Sequence, residues 1–313
     1  MAFNLKGRSL LTLKDYTPEE IHYLLELSHQ VKRERRSGNI TQRFLGRTLA
    51  LLFEKRSTRT RCAFETAFGE EGGYPVFLSS SDIQLGAKET IEDTARVLGR
   101  MFDAIQFRGF KQEMVEALAE YSGVPVFNGL TDLYHPTQIL ADLMTVQEVF
   151  GRLKGTKIVF VGDGRNNVAR SLLIGCSKMG ADFTVISPKN LQPDSEVVAL
   201  CSGYAGQSGS KIELDSDVAK GVKNADVIYT DVWVSMGEEE KSKERLDLLR
   251  PFQVDDKMMA ATGKTDTIFM HCLPAVKGNE VTYEVIESPA SKVWDEAENR
   301  KHTIKAVMLA MIG

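Results

Sequence analysis

Apolar positions in this chain follow two alternating patterns. Short apolar runs occupy residues 48–53, 76–78, 104–107, 124–127, 157–161, 183–186, 227–230 and 267–270. Amphipathic stretches lie between them. Residues 18–32 place Ile21, Leu24, Leu25 and Leu27 at helical spacing, and residues 137–150 do the same with Ile139, Leu140, Leu143, Val146 and Phe150. Continuous apolar runs suit strands buried on both faces, and strands alternating with helices predict parallel sheets covered on both sides. The runs divide into two groups of four, with the break in the long helix after Pro136. The pattern therefore predicts an α/β chain of two domains. A last helix is expected over 303–312, where Ile304, Val307, Met308 and Met311 form one stripe that packs back onto the body. The polar stretch 237–250 reads as a long loop, either a lid or a solvated surface segment.

The ends of these runs carry the polar chemistry. The first strand leads into Lys55-Arg56-Ser57-Thr58-Arg59-Thr60-Arg61, followed by Ala63, Phe64, Ala67 and Phe68 at helical spacing. A strand that delivers hydroxyls and guanidiniums to a helix N-terminus forms an anion site, because unpaired backbone N–H groups and the helix dipole favour negative charge. The alternative is a solvated basic helix start. Arg108, His135-Pro136-Thr137-Gln138, the glycine-rich segment 162–167, Asp231 and His271-Cys272-Leu273-Pro274 follow later strands. In open α/β sheets ligands sit beyond the carboxyl ends of the strands, so six such endings predict a site in the cleft between the domains.

Composition narrows the classes. The 313 residues are 42% hydrophobic and 26% charged, ordinary for a soluble two-domain protein. A net charge of -4 argues against a broad nucleic-acid surface. No apolar run reaches membrane-spanning length, and the first residues lack a signal-peptide core. Cys62, Cys176, Cys201 and Cys272 are scattered, which suits free thiols in a reducing cytoplasm.

Three familiar motifs fail. Gly162-x-Gly164 begins a dinucleotide fingerprint, but Asn167 replaces the third glycine and no acidic residue ends the next strand. Gly263-Lys264-Thr265 resembles a P-loop ending but precedes a strand and lacks its first glycine. His271-Cys272 has no second His/Cys cluster beside it, so no metal is expected.

The combination of Ser57-Thr58-Arg59-Thr60-Arg61, Arg108, His135-Pro136-Thr137-Gln138 and Arg300 resembles the carbamoyl-phosphate site of the aspartate/ornithine carbamoyltransferases, over essentially the whole chain and in the same order. Asp231-Val232-Trp233-Val234-Ser235-Met236-Gly237 and His271-Cys272-Leu273-Pro274 are similar to the ornithine branch of that family. The resemblance implies a carbamoyl-phosphate-binding domain over 1–138, completed by a C-terminal helix at 293–313, and an ornithine-binding domain over 139–292. It implies carbamoyl-phosphate ligands Ser57, Thr58, Arg59, Thr60, Arg108, His135, Gln138 and Arg300. Asn167, Asp231, Ser235, Met236, Cys272 and Leu273 would hold L-ornithine. Arg108, His135 and Cys272 would be catalytic, with Cys272 as proton acceptor; on residue type alone a structural thiol is the other reading of Cys272. The segment 81–89 resembles a loop that brings Gln84 into a neighbouring subunit's site, although Ala87 stands where many ornithine enzymes have histidine. A homo-oligomer, trimer or dodecamer, follows from that. No organic cofactor is implied. Putrescine or acetylornithine transferases are the rival readings within the family.

Overall fold

The computed structural model describes residues 3–39, 41–79, 89–234 and 242–313. Gln84, Ser235 and Met236, which the resemblance implies as site residues, lie outside the described residues. The chain forms two compact units, 1–144 with 298–313 and 145–297.

The first unit is built on strands β1 (Thr48–Phe53), β2 (Tyr74–Ser79), β3 (Ala104–Arg108) and β4 (Val126–Leu130), parallel and in the order β2-β1-β3-β4. Helices α1 (Pro18–Arg36), α2 (Thr58–Gly69), α3 (Ile91–Met101), α4 (Gln112–Ser122) and α5 (Pro136–Phe150) alternate with the strands. On one face Leu52, Ile105, Phe107, Leu98, Val115 and Leu118 close a core between the sheet and the pair α3 and α4. Gly99 lets those two helices touch: a Cβ there would lie 1.8 Å from the carbonyl oxygen of Ser122. The β3–β4 register slips by one residue after Phe107, which pairs with Asn128 while Arg108 pairs with Leu130. Such irregularities re-aim side chains at sheet ends.

The second unit holds β5 (Lys157–Val161), β6 (Asp182–Ile186), β7 (Ile212–Asp215), β8 (Val227–Thr230) and β9 (Ile268–His271), parallel in the order β7-β6-β5-β8-β9. Its helices are α6 (Asn167–Met179), α7 (Ser195–Ser208), α8 (Val218–Gly221), α9 (Ser242–Leu249), α10 (Asp256–Ala261) and α11 (Tyr283–Ile286). Val159, Val161, Ile228, Phe269 and Trp233 belong to its main core. The chain ends in α12 (Val293–Ile312). Among the described residues no helix is long and apolar enough to cross a membrane.

Several elements differ from expectation. The second sheet has five strands rather than four. The extra strand, β7, is an edge strand whose Glu213 and Leu214 are exposed, so it lacks the apolar run that marks a buried strand. β4 runs past residue 127, through Asn128 and Gly129, and Asn128 is fully buried although polar. α12 begins ten residues before 303. Its early turns bury Asn299, Arg300, His302 and Thr303 instead of an apolar stripe, so hydrophobic periodicity could not find them. Arg300 lies inside this helix. The described part of the stretch 237–250 is helical, since α9 covers Ser242–Leu249. Arg245 on α9 forms an ion pair with the buried Asp163 in the loop after β5.

Candidate active site

In a parallel sheet, the crevice opens where consecutive connections leave in opposite directions. In the first unit that point lies between β1 and β3, which are neighbours although β2 separates them in sequence. The loop after β1 enters α2, and Ser57 caps the helix by accepting from Thr60 N at 3.2 Å. Ser57 was expected as an anion ligand. Its oxygen is engaged as a cap, and its hydroxyl proton remains available to a ligand. Thr58 and Arg59 form the first helical turn, so their backbone N–H groups have no acceptor within the helix.

Thr60 is fully buried at the centre of this group. Its Oγ1 accepts from Arg108 Nη1 at 3.1 Å and from Arg300 Nη2 at 3.2 Å. Arg300 Nη1 also donates to Gln138 Oε1 at 2.7 Å. Arg108 ends β3, Gln138 lies in the first turn of α5, and Arg300 comes from α12. Residues 240 positions apart thus meet on one hydroxyl. His135 precedes α5, where Pro136 takes the first helical position and needs no hydrogen-bond acceptor for its nitrogen. Burial, and then the positive charges of Arg300, Arg108 and Arg59, hold the His135 imidazole well below its usual pKa. It is neutral at neutral pH. Those three influences also put Arg59 in the same charge cluster. The structure brings together Thr60, Arg108, His135, Gln138 and Arg300, with Ser57, Thr58 and Arg59 at the adjoining helix start.

In the second unit the corresponding point lies between β5 and β8. Asp231 follows β8 and is buried. Its Oδ1 accepts from Cys272 Sγ at 3.1 Å and from Val232 N at 2.8 Å, and its Oδ2 accepts from Asn166 Nδ2 at 3.1 Å. Burial raises the Asp231 pKa, and the hydrogen bonds from Cys272 and Val232 oppose that shift. Cys272 is partly exposed, so it is not a sealed core thiol. Asn167 opens α6 and is partly exposed beside this group. Leu273 adopts a left-handed backbone with φ 57°, and its N–H donates to His271 Nδ1 at 2.8 Å. Since Nδ1 accepts, the proton of a neutral His271 sits on Nε2, which faces Glu280 at 3.3 Å.

Two participants escaped sequence reasoning. Asn166 does double duty: its Oδ1 caps α6 by accepting from Ala169 N at 2.7 Å while its amide nitrogen holds Asp231. An Asn at a helix start was a visible capping signal, but its second partner lies 65 residues away. The second is a potential metal-ligand set. Ligand atoms of Asp231, His271 and Cys272 lie within 4.8 Å of one another, types that suit a borderline cation. The sequence places no second cluster beside His271-Cys272; Asp231 arrives from a different strand.

Comparison with known proteins identifies the family. Residues 8–148 match the carbamoyl-P binding domain of the aspartate/ornithine carbamoyltransferases, and residues 154–311 match their Asp/Orn binding domain. The chain belongs to the aspartate/ornithine carbamoyltransferase family. It is 68% identical over 312 residues to an ornithine carbamoyltransferase of Caldanaerobacter subterraneus subsp. tengcongensis, covering 100% of both chains. It is 65% identical to that of Thermotoga maritima, again over the whole of both chains. The solved ornithine carbamoyltransferase of Pyrococcus furiosus superposes with a TM-score of 0.97 at 50% identity, covering 100% of this chain and 99% of the other.

Proposed function

We propose that this chain transfers the carbamoyl group of carbamoyl phosphate to the δ-amine of L-ornithine, giving L-citrulline and phosphate in arginine metabolism. The observation that carries this reading is the opposite chemistry of the two sites. One gathers buried guanidiniums around a hydroxyl, and the other is organised on a buried carboxylate hydrogen-bonded to a thiol.

In this reading the first unit is the carbamoyl-phosphate-binding domain. The N–H groups opening α2, with Ser57, Thr58, Arg59 and Arg108, take the phosphate. Arg108, His135 and Thr60 take the carbamoyl oxygen. That oxygen gains negative charge as the amine adds, so donors fixed before the reaction stabilise the transition state more than the ground state. A neutral His135 donates its N–H without surrendering the proton. Phosphate then leaves with its charge already matched by guanidiniums.

The second unit is the ornithine-binding domain. Asp231 attracts the ammonium groups, and Asn167, Leu273, Ser235 and Met236 complete the acceptor pocket. The attacking amine must be neutral, yet such amines are protonated near pH 7. The Cys272–Asp231 pair accepts that proton: the thiol proton passes along its hydrogen bond to the Asp231 carboxylate, and the resulting Cys272 thiolate takes the proton of the ammonium. Gln84 reaches the site of a neighbouring subunit, which makes the protein a homo-oligomer, trimer or dodecamer, and the cytoplasm is its compartment.

Arg59→Ala tests the phosphate end. It should abolish measurable turnover and weaken carbamoyl-phosphate binding. Near-normal activity in that variant would overturn the site assignment.

A further inference from the structure

A buried carboxylate lies behind the proposed carbamoyl-phosphate site, on the side chains that hold it rather than on the ligand. Asp142 is 2% exposed and sits on α5 one helical turn beyond Gln138. Gln138 Nε2 donates to Asp142 Oδ1 at 2.8 Å. Gln138 Oε1 in turn accepts from Arg300 Nη1 at 2.7 Å, and Arg300 Nη2 reaches Thr60. The links form one chain, Asp142–Gln138–Arg300–Thr60–Arg108.

An amide has two chemically different ends, and its orientation is set by its partners. Here the carboxylate can only accept and the guanidinium can only donate. Asp142 therefore fixes the nitrogen of Gln138 on its own side and the oxygen toward Arg300. A residue without an acceptor at position 142 would free the amide to turn. Its nitrogen could then face Arg300, donor against donor, and Arg300 would lose the shortest contact that aims it at Thr60.

We propose that Asp142 is a positioning residue for the reaction: it acts through Gln138 and Arg300 to hold the carbamoyl-phosphate end of the site, and touches neither substrate. This rests on the carbamoyl-transfer reading above. The family match and the strand positions did not single it out. Its only local signal is the i, i+4 spacing from Gln138.

The test is steady-state kinetics on the full-length protein with both substrates varied. Asp142→Ala should raise KM for carbamoyl phosphate on the order of tenfold or more, the scale of one hydrogen bond to a charged group, and leave KM for ornithine unchanged. Asp142→Asn keeps an oxygen acceptor and should recover most of that loss. In a Gln138→Ala background, Asp142→Ala should cost nothing further, because its route is already cut. A purely structural residue would lower the active fraction, leaving both KM values unchanged and giving additive losses in the double variant. That result overturns the inference. If Asp142→Ala does not fold, Asp142→Asn and Asp142→Ser carry the test, with the serine variant expected to show the larger carbamoyl-phosphate KM. Equal KM values for these two would contradict it. Unaltered protein that fails to carbamoylate ornithine would instead remove the reading on which the inference stands.

Discussion

Replacing Thr60 by valine would remove one oxygen and almost no volume. That oxygen accepts from Arg108 Nη1 at 3.1 Å and Arg300 Nη2 at 3.2 Å, and the side chain is fully buried. Valine leaves two charged donors facing a methyl group. A hydrogen bond to a charged group contributes about 1.5–3 kcal/mol, so two independent ones would sum to about 3–6 kcal/mol. The two arginines share one acceptor and will relax together, which makes the lower end the better guide. About 3 kcal/mol corresponds to roughly a hundredfold in kcat/KM. The assay is citrulline formation with carbamoyl phosphate varied at saturating ornithine. Thr60→Ser keeps the oxygen and should stay within about tenfold of the unaltered protein, whereas Thr60→Val should lose about a hundredfold or more. If the valine and serine variants were equally active, the claim that Thr60 organises the two arginines would be refuted.

Other variants separate the remaining roles. Asn166→Ser keeps a helix cap but cannot reach Asp231, so ornithine KM should rise while the melting temperature holds. Asn166→Ala should also lose about 1 kcal/mol of stability with the cap. An unchanged ornithine KM in both would remove Asn166 from the site. His302 gives a pH test. Burial pushes its pKa down to about 4, against the opposing hydrogen bond to Glu298. Between the ordinary value of about 6.5 and pH 4 the unfolded chain binds a proton that the native protein does not, so stability is lost as pH falls through that window, by up to about 1.4 kcal/mol per pH unit. Denaturant unfolding at pH 6.5 and 4.5 should show a shallower loss in His302→Asn than in the unaltered protein. Equal slopes would show that His302 is not the group responsible.

What the sequence made legible followed from burial. β1, β5 and β8 lie inside their sheets and read as unbroken apolar runs, so their bounds were close to right. β7 sits at an edge with Glu213 and Asp215 in its four residues, and nothing in its pattern marks a strand. The opening turns of α12 are buried but polar. Their polar side chains find hydrogen-bond partners, Asn299 with Lys32, Arg300 with Gln138 and Thr60, and His302 with Glu298, and hydrophobic periodicity cannot register that. Strand order was equally out of reach, since the adjacency of β1 to β3 and of β5 to β8 is a long-range pairing. Most of the candidate site residues were legible as unusual polar groups at strand ends; Arg300, inside α12, was reached only through the family resemblance. Their connections were not: the contact between Thr60 and Arg300 and the hold of Asn166 on Asp231 depend on groups that only the fold brings together.

The central claim is the pairing of a carbamoyl-phosphate site with an acceptor site built on a carboxylate and a thiol. Steady-state rates of the unaltered protein with carbamoyl phosphate against ornithine, putrescine, acetylornithine and aspartate test it most directly. Ornithine should give the highest kcat/KM of the four, and aspartate should not turn over. Faster turnover of putrescine or acetylornithine, or any preference for aspartate, would contradict the account.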